Sequence, residues 1–397
     1  MGFARILATL QIACALLLNC TNSFPSIPPV EALLLANSSR SFTSATPSSE
    51  CPSSTRAFIV HGGGVPSTTI YNASAHSMAA GPALSVTPAA GTHGILLPNY
   101  GSAGCKVLIV HGGGNATTQI FDPATATLSA GPTLSGNVGA GGLSIAITSG
   151  PNAGKVVILH GANGQASTVL DLTAMSVSSG NATMANIGGD DHYIQIPSGP
   201  QSGNYLIWTG GGSMNTVVLN PSTLIFSVGP VDTQITAPGS RSFRVSGGVR
   251  DGQFYKSRGG ISNIASVYRP ASHDFDPGVI SSFTACTPGA GSSIFTVSGG
   301  ALNGQPFIIC AGGTNTNVYS SGSDTFASGN PVSAAVGLGA SSFLIPTGPQ
   351  AGNTLVILGG GATTATSMFT PGTAAFSVGT VNTAANVGAS GFSVLTP

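Results

Sequence analysis

The chain has 397 residues, 57 of them glycine, only 6% charged, and a formal net charge of zero. Glycine costs about 1 kcal/mol at each helix-interior position and helices need solvated charged faces, so these numbers exclude a helical bundle and favour short strands joined by glycine-rich turns. No run of Lys or Arg gives the footprint of a nucleic-acid binder, and no apolar run reaches the roughly 18 residues of a membrane helix.

Residues 1–19 read as an export signal, with Arg5 as its basic region and residues 6–18 as an apolar stretch too short to span a bilayer. The stretch ends Leu17, Leu18, Asn19, Cys20. That run resembles the lipobox of bacterial lipoproteins, which implies cleavage before Cys20 and its diacylation. Asn19 stands where stricter boxes have a small residue, as in the looser boxes of spirochaete lipoproteins. Thr21, where an Asp would be a retention signal, is similar to lipoproteins sorted to the outer membrane. Without the resemblance, the same residues are a plain secretory signal with an incidental cysteine. Residues 20–55 are rich in Ser, Thr and Pro, too polar for a core and suited to a tether. An apolar island at 30–36 either docks on the following domain or stays solvated.

A repeat array occupies residues 56–397. AFIVHGGG (57–64), VLIVHGGG (107–114), VVILHGAN (156–163), YLIWTGGG (205–212), QFYKSRGG (253–260), FIICAGG (307–313) and TLVILGGG (354–361) are seven copies of one strand, at intervals of 47 to 53 residues. Such a period marks a solenoid or propeller. The strand that follows each copy has two large apolar residues, such as Ile70 and Tyr71 or Val169 and Leu170, and then Asn72, Asp122, Asp171 or Asn220 to start a turn. The strand after that carries one apolar residue about seven positions on, from Met78 and Leu128 to Phe376. One more strand, the first of each unit, precedes the glycine-rich copy, joined to it by turns such as residues 150–155 and 199–204.

Four strands per unit and seven units predict an all-β fold, a seven-bladed β-propeller. The paired glycines and the apolar-plus-Asp-Pro step resemble kelch repeats over about 340 residues. The tryptophan usual in the outer kelch strand is Met, Leu, Val or Phe here, and the single Trp208 lies on a different strand. Residues 386–397 match residues 137–148, the first strand of a unit, yet no glycine-rich strand follows them, and residues 57–64 have no first strand before them. The C-terminal strand is therefore expected to complete the N-terminal blade and close the ring, with Phe392 and Val394 inward and Ser393 on the opposite side.

His61, His111 and His160 share one repeat position, but blades stand too far apart for them to share a metal ion, whose ligands lie at about 2.1 Å; they are read as bonding the glycine-rich loop. No metal site and no cofactor is expected. Cys310 is read as a buried small residue aligned with Val110, and neither it nor Cys51, Cys105 or Cys286 shows a metal-binding spacing; export permits disulfides without the ring requiring them. Charge is scarce, so its concentration is informative. Asp190, Asp191, His192, Arg241, Arg244 and Arg258 are expected to cluster where the first strand begins and the second ends. Either they bind an anionic group, as arginine does bidentately, or they form an inter-blade Asp–Arg network.

Copper oxidases similar to galactose oxidase use kelch propellers, but the Tyr–Cys pair, second Tyr and two His they need are not found here. The Asp-box repeats of sialidases are missing, and Glu31 and Glu50 are the only glutamates, both before the array. The reading is a monomeric, lipid-anchored propeller at the bacterial cell surface, exported, binding a protein or glycan and no nucleic acid. A carbohydrate-acting propeller enzyme and a structural envelope protein are the alternatives.

Overall fold

In a computed structural model of the chain, the residues described are 51–397, apart from 261, 278–281 and 362, together with the backbone of two short strands, Leu35–Asn37 and Ser41–Thr43. Those two pair antiparallel as a ribbon. The rest is seven four-stranded antiparallel sheets, each meandering from an inner strand to an outer one. Blade 3 is representative: Leu143–Ile147, Lys155–Leu159, Ser167–Asp171 and Ser176–Ser179, in that spatial order. Blade 4 runs from His192–Gln195 through Tyr205–Trp208 and Thr216–Asn220 to Ile225–Val228. Blade 5 runs from Ser242–Arg244 through Phe254–Ser257 and Ala265–Arg269 to Asp274–Phe275. Blade 2 begins at His93–Leu96, blade 6 at Ser293–Thr296 and blade 7 at Ser341–Leu344.

Blade 1 takes its inner strand from the other end of the chain. Phe392–Thr396 pairs with Arg56–Gly62, setting Phe392 against Val60 and Val394 against Phe58. Phe392 and Val394 are buried with Phe58, Val60, Val107 and Ile109, at the seam with blade 2. Ser393 points the other way and donates to Ser341 Oγ of blade 7 at 3.0 Å. The ring is thus closed by the C-terminal strand, as the repeat count predicts.

Position in the blade decides burial. Second strands such as Val107–Val110 and Lys155–Leu159 are packed on both faces by neighbouring blades, hence their nearly unbroken apolar runs. Outer strands such as Ile225–Val228 bury only the one apolar residue picked out by the repeat. The Asp and Asn residues after the third strand make the expected turns: Asp171 Oδ1 accepts from the amides of Thr173 and Ala174, and Asn220 Oδ1 from Ser222.

The three repeat histidines bond the third strand rather than the glycine-rich loop. His61 Nε2 lies 2.7 Å from Thr69 Oγ1, His111 Nε2 3.1 Å from Gln119 Oε1, and His160 Nε2 2.7 Å from Thr168 Oγ1. The same third-strand side chains accept from the loop arriving from the previous blade: Gln119 from Ser85 N, Thr168 from Ser135 N and, across the ring closure, Thr69 from Ala384 N. Burial pushes His61 down to about 4, so it is a neutral hydrogen-bonding spacer at physiological pH.

Cys310 occupies this histidine position, not that of Val110. Its amide bonds Asn315 O as that of His111 bonds Thr117 O, with a turn one residue shorter. It is joined by a disulfide to Cys286, and Cys51 to Cys105.

Candidate functional site

The turns that lead into the inner strands form a ring at one end of the molecule. In most blades glycine holds the left-handed position of this turn, as Gly239 does at φ +82 with the Gly289 carbonyl where a Cβ would be. Blade 4 has Asp190 there, at φ +64. A left-handed aspartate is tolerated because its short polar side chain bonds locally, and Asp190 Oδ1 accepts from the Gly239 amide of blade 5 at 3.2 Å. Asp190 therefore ties one turn to the next.

Past this turn, the first side chain of each inner strand meets the second of the following blade. His93 Nε2 is 2.7 Å from Ser144 Oγ, Ser293 Oγ 2.9 Å from Ser342 Oγ, and Ser393 reaches Ser341. His192 holds this place in blade 4, fully buried and stacked on Trp208 at 4.7 Å between ring centroids. Burial, reinforced by the charges of Lys256 and Arg241, pushes it down to about 3, so its ring is uncharged at neutral pH. Asp191 and Arg241 are also buried, and Arg241 Nη1 donates to the Ser240 carbonyl at 2.6 Å.

The structure brings five of the six expected residues to this end. Asp190, Asp191, His192 and Arg241 lie at the starts of adjacent inner strands; Ser257 N bonds Arg241 O, placing Arg258, partly exposed, one residue beyond on the paired strand. Arg244 is not with them. It pairs with Phe254 at the far end of its strand and is exposed there. The expectation of one six-residue cluster fails for it because three residues along a strand are about 10 Å. No ion pair among the described residues involves Arg244 or Arg258.

An ionic link between blades 4 and 5 that lies outside the expected set is Asp232 with Lys256, whose side chains are both wholly buried and 2.8 Å apart. Lys256 Nζ also donates to the carbonyls of Gln234 and Ile235, and the Asp232 Oδ2 that it meets also accepts from Trp208 Nε1 at 2.9 Å. Burial pushes the Lys256 ammonium below its usual range, opposed by Asp232. A signal for this pair was in the repeat. Lys256 stands where other second strands have Ile59, Ile109, Ile158 and Ile207, and Asp232 where other loops have Leu84, Leu134 and Phe283.

Blade 5 is the polar blade. Residues 241–276 hold nine of the eighteen charged residues between 51 and 397, six of them basic and three acidic, a net charge of +3 in a chain whose total is zero. A second network joins it to blade 6: Arg250 pairs with Asp324 at 2.7 Å and Asp276 at 2.9 Å, and Asp324 accepts from the hydroxyls of Tyr255 and Tyr319. Elsewhere, an open cleft beside Cys105 is lined by Arg56, Lys106, Asp122 and Pro397. Its charges are internally engaged, Lys106 with Asp122 at 2.9 Å and Arg56 with the Pro123 carbonyl at 2.6 Å. Among the described residues no group of three or more His, Cys, Asp or Glu is placed to hold a metal ion, and the four described cysteines are all in disulfides.

No family model matches this sequence, and no curated protein matches it. Among solved structures it is similar to a chain described as a novel fungal alcohol oxidase with catalytic diversity among the AA5 family, in complex with copper, with 12% sequence identity and a TM-score of 0.48, over 85% of this chain and 67% of that one. A likeness that distant says nothing about the chemistry of this chain.

Proposed function

We propose that this chain is a kelch-like, monomeric propeller that is exported, held to the bacterial cell surface through a diacylated Cys20, and used to bind a protein or glycan. The observation that carries the binding reading is the asymmetry of charge: one blade of seven holds half of the charged residues of 51–397, while the other half is spread over the remaining blades, which build the same sheet. Neighbouring blades engage two of its cations, Lys256 through Asp232 and Arg250 through Asp324, but Arg244 and Arg258 are in no ion pair among the described residues, and recognition uses such charges to steer and orient a partner. The test is a binding screen of the purified full chain against glycan arrays and surface-protein fractions. Partners retained at low salt and released as ionic strength rises support the reading. A screen without any partner, or turnover of a carbohydrate substrate, contradicts it.

Cys20 and the rest of residues 1–34 lie outside the described residues. The anchor is tested separately. Labelled palmitate is expected to enter the wild type and to be lost in Cys20→Ala, since two acyl chains anchor stably where one does not. Labelling that survives the substitution rules out Cys20.

A further inference from the structure

The seven blades serve as internal controls for one another, because the same place in six other copies shows what the fold alone requires. One backbone bond fixes the correspondence at the glycine-rich end: Asp232 N bonds Met214 O, as Leu134 N bonds Ala116 O, Phe283 N bonds Asn263 O and Val332 N bonds Thr314 O. Met214 therefore stands where the other blades have Pro66, Ala116, Gln165, Asn263, Thr314 and Thr364. Val231, one residue before Asp232, stands where they have residues such as Ala83, Thr133, Ala182 and Pro331. In the outer strand, Val228 pairs with Val217 where Ala130 pairs with Gln119 and Ser179 with Thr168, while blade 7 has a valine there too, Val378 opposite Ser367.

At each of these three places blade 4 carries a larger apolar side chain than most copies do, and each is exposed: Met214 by 43%, Val231 by 61% and Val228 by 72%. They fill no core. Grouped exposed apolar side chains of this kind mark interaction surfaces, and methionine in particular adapts to varied partners. The row continues into a cation. Lys256 holds the Gln234 and Ile235 carbonyls, and Ala237 N bonds Arg258 O, so the loop that begins at Val231 ends against Arg258, which is partly exposed on the blade with a net charge of +3.

We propose that Met214, Val228, Val231 and Arg258 form a docking surface across blades 4 and 5 for a segment of a partner protein with apolar side chains flanked by carboxylates. The apolar side chains cover the blade 4 rim and the carboxylates face Arg258, an arginine–carboxylate pairing that a guanidinium makes bidentately. This rests on the binding reading above and assigns it a place and a partner chemistry.

The experiment measures, by fluorescence anisotropy, the affinity of the full chain for an array-selected set of synthetic 15-residue peptides in which Leu or Phe is flanked by Asp or Glu. Matched peptides have the carboxylates replaced by amides or the apolar residues by Ser. The variants are the double substitution Met214→Thr with Val231→Thr, which installs residues that other blades carry there; Arg258→His, the residue of blades 1 to 3; and Val378→Ser on blade 7 as a control. Melting curves confirm that each is folded. Acidic–apolar peptides are expected to bind, with affinity at least about tenfold lower for both matched sets and for the blade 4 and blade 5 variants, and unchanged for Val378→Ser. Equal affinity of wild type and variants, or binding that survives loss of the carboxylates, overturns the surface. If heparin binds in a salt-dependent way while no peptide does, the binding reading stands and this surface falls; if neither binds, both fall.

Discussion

Asp232 and Lys256 show what a single repeat position can reveal. In several other blades the corresponding residues are apolar and share a core, as Leu134 with Ile158 and Phe283 with Ile308. Replacing it with a buried ion pair gives no clear gain in stability, since desolvation offsets the attraction, but breaking the pair leaves a charge stranded. Asp232→Ala or Lys256→Ala alone should therefore cost about 3–5 kcal/mol. The double change Asp232→Leu with Lys256→Ile installs the Leu134 and Ile158 arrangement. It should recover most of that loss, short by the roughly 1–3 kcal/mol of leaving Trp208 Nε1 without its acceptor. Urea melts of the singles and the double check this. A double variant as unstable as the sum of the singles would show that the pair does not act as one unit.

The strand is the element at which this sequence is most legible, and the C-terminal one the clearest case. Its match to residues 137–148 is readable because every blade repeats the alternation that packs one side chain against the next blade and the following one against the blade before. Partners that depend on loop register were not readable. The Arg244 placement needed the exact pairing with Phe254, Cys310 was displaced by one residue because its turn is shorter, and the Asp232–Lys256 pair emerges only when loop and strand are aligned together. The histidines were recognisable as structural from their shared position, but not their third-strand partners eight residues on. Phe392 and Val394 are buried, a burial worth about 1.5–3 kcal/mol for each side chain, against whole-domain stabilities of about 5–15 kcal/mol. Deleting residues 388–397 should thus leave the protein unfolded or aggregating, as read by circular dichroism and gel filtration, whereas deleting residues 21–33 should change its melting temperature little. A C-terminal deletion that melts like the full chain would refute the role given to the strand.

At the scale of the molecule, ring closure turns seven units, each stable only beside its neighbours, into one body. Without the C-terminal strand, blade 1 would keep an unpaired inner edge between blades 7 and 2; that strand reaches both neighbours, through Phe392 and Val394 on one side and the Ser393–Ser341 bond on the other. Closure also supplies the frame against which blades 4 and 5 depart from the repeat, since a nearly symmetrical scaffold lets charge and apolar surface be added to one sector without redesigning the rest. The most direct test of the closed ring is amide hydrogen exchange across residues 392–396, compared with the equivalent inner strand at 143–147. Paired as described, the two segments should exchange with similar slow rates, and both should lose protection together as the whole ring unfolds. Exchange of 392–396 at the rate of an unpaired chain, while 143–147 stays protected, would contradict closure.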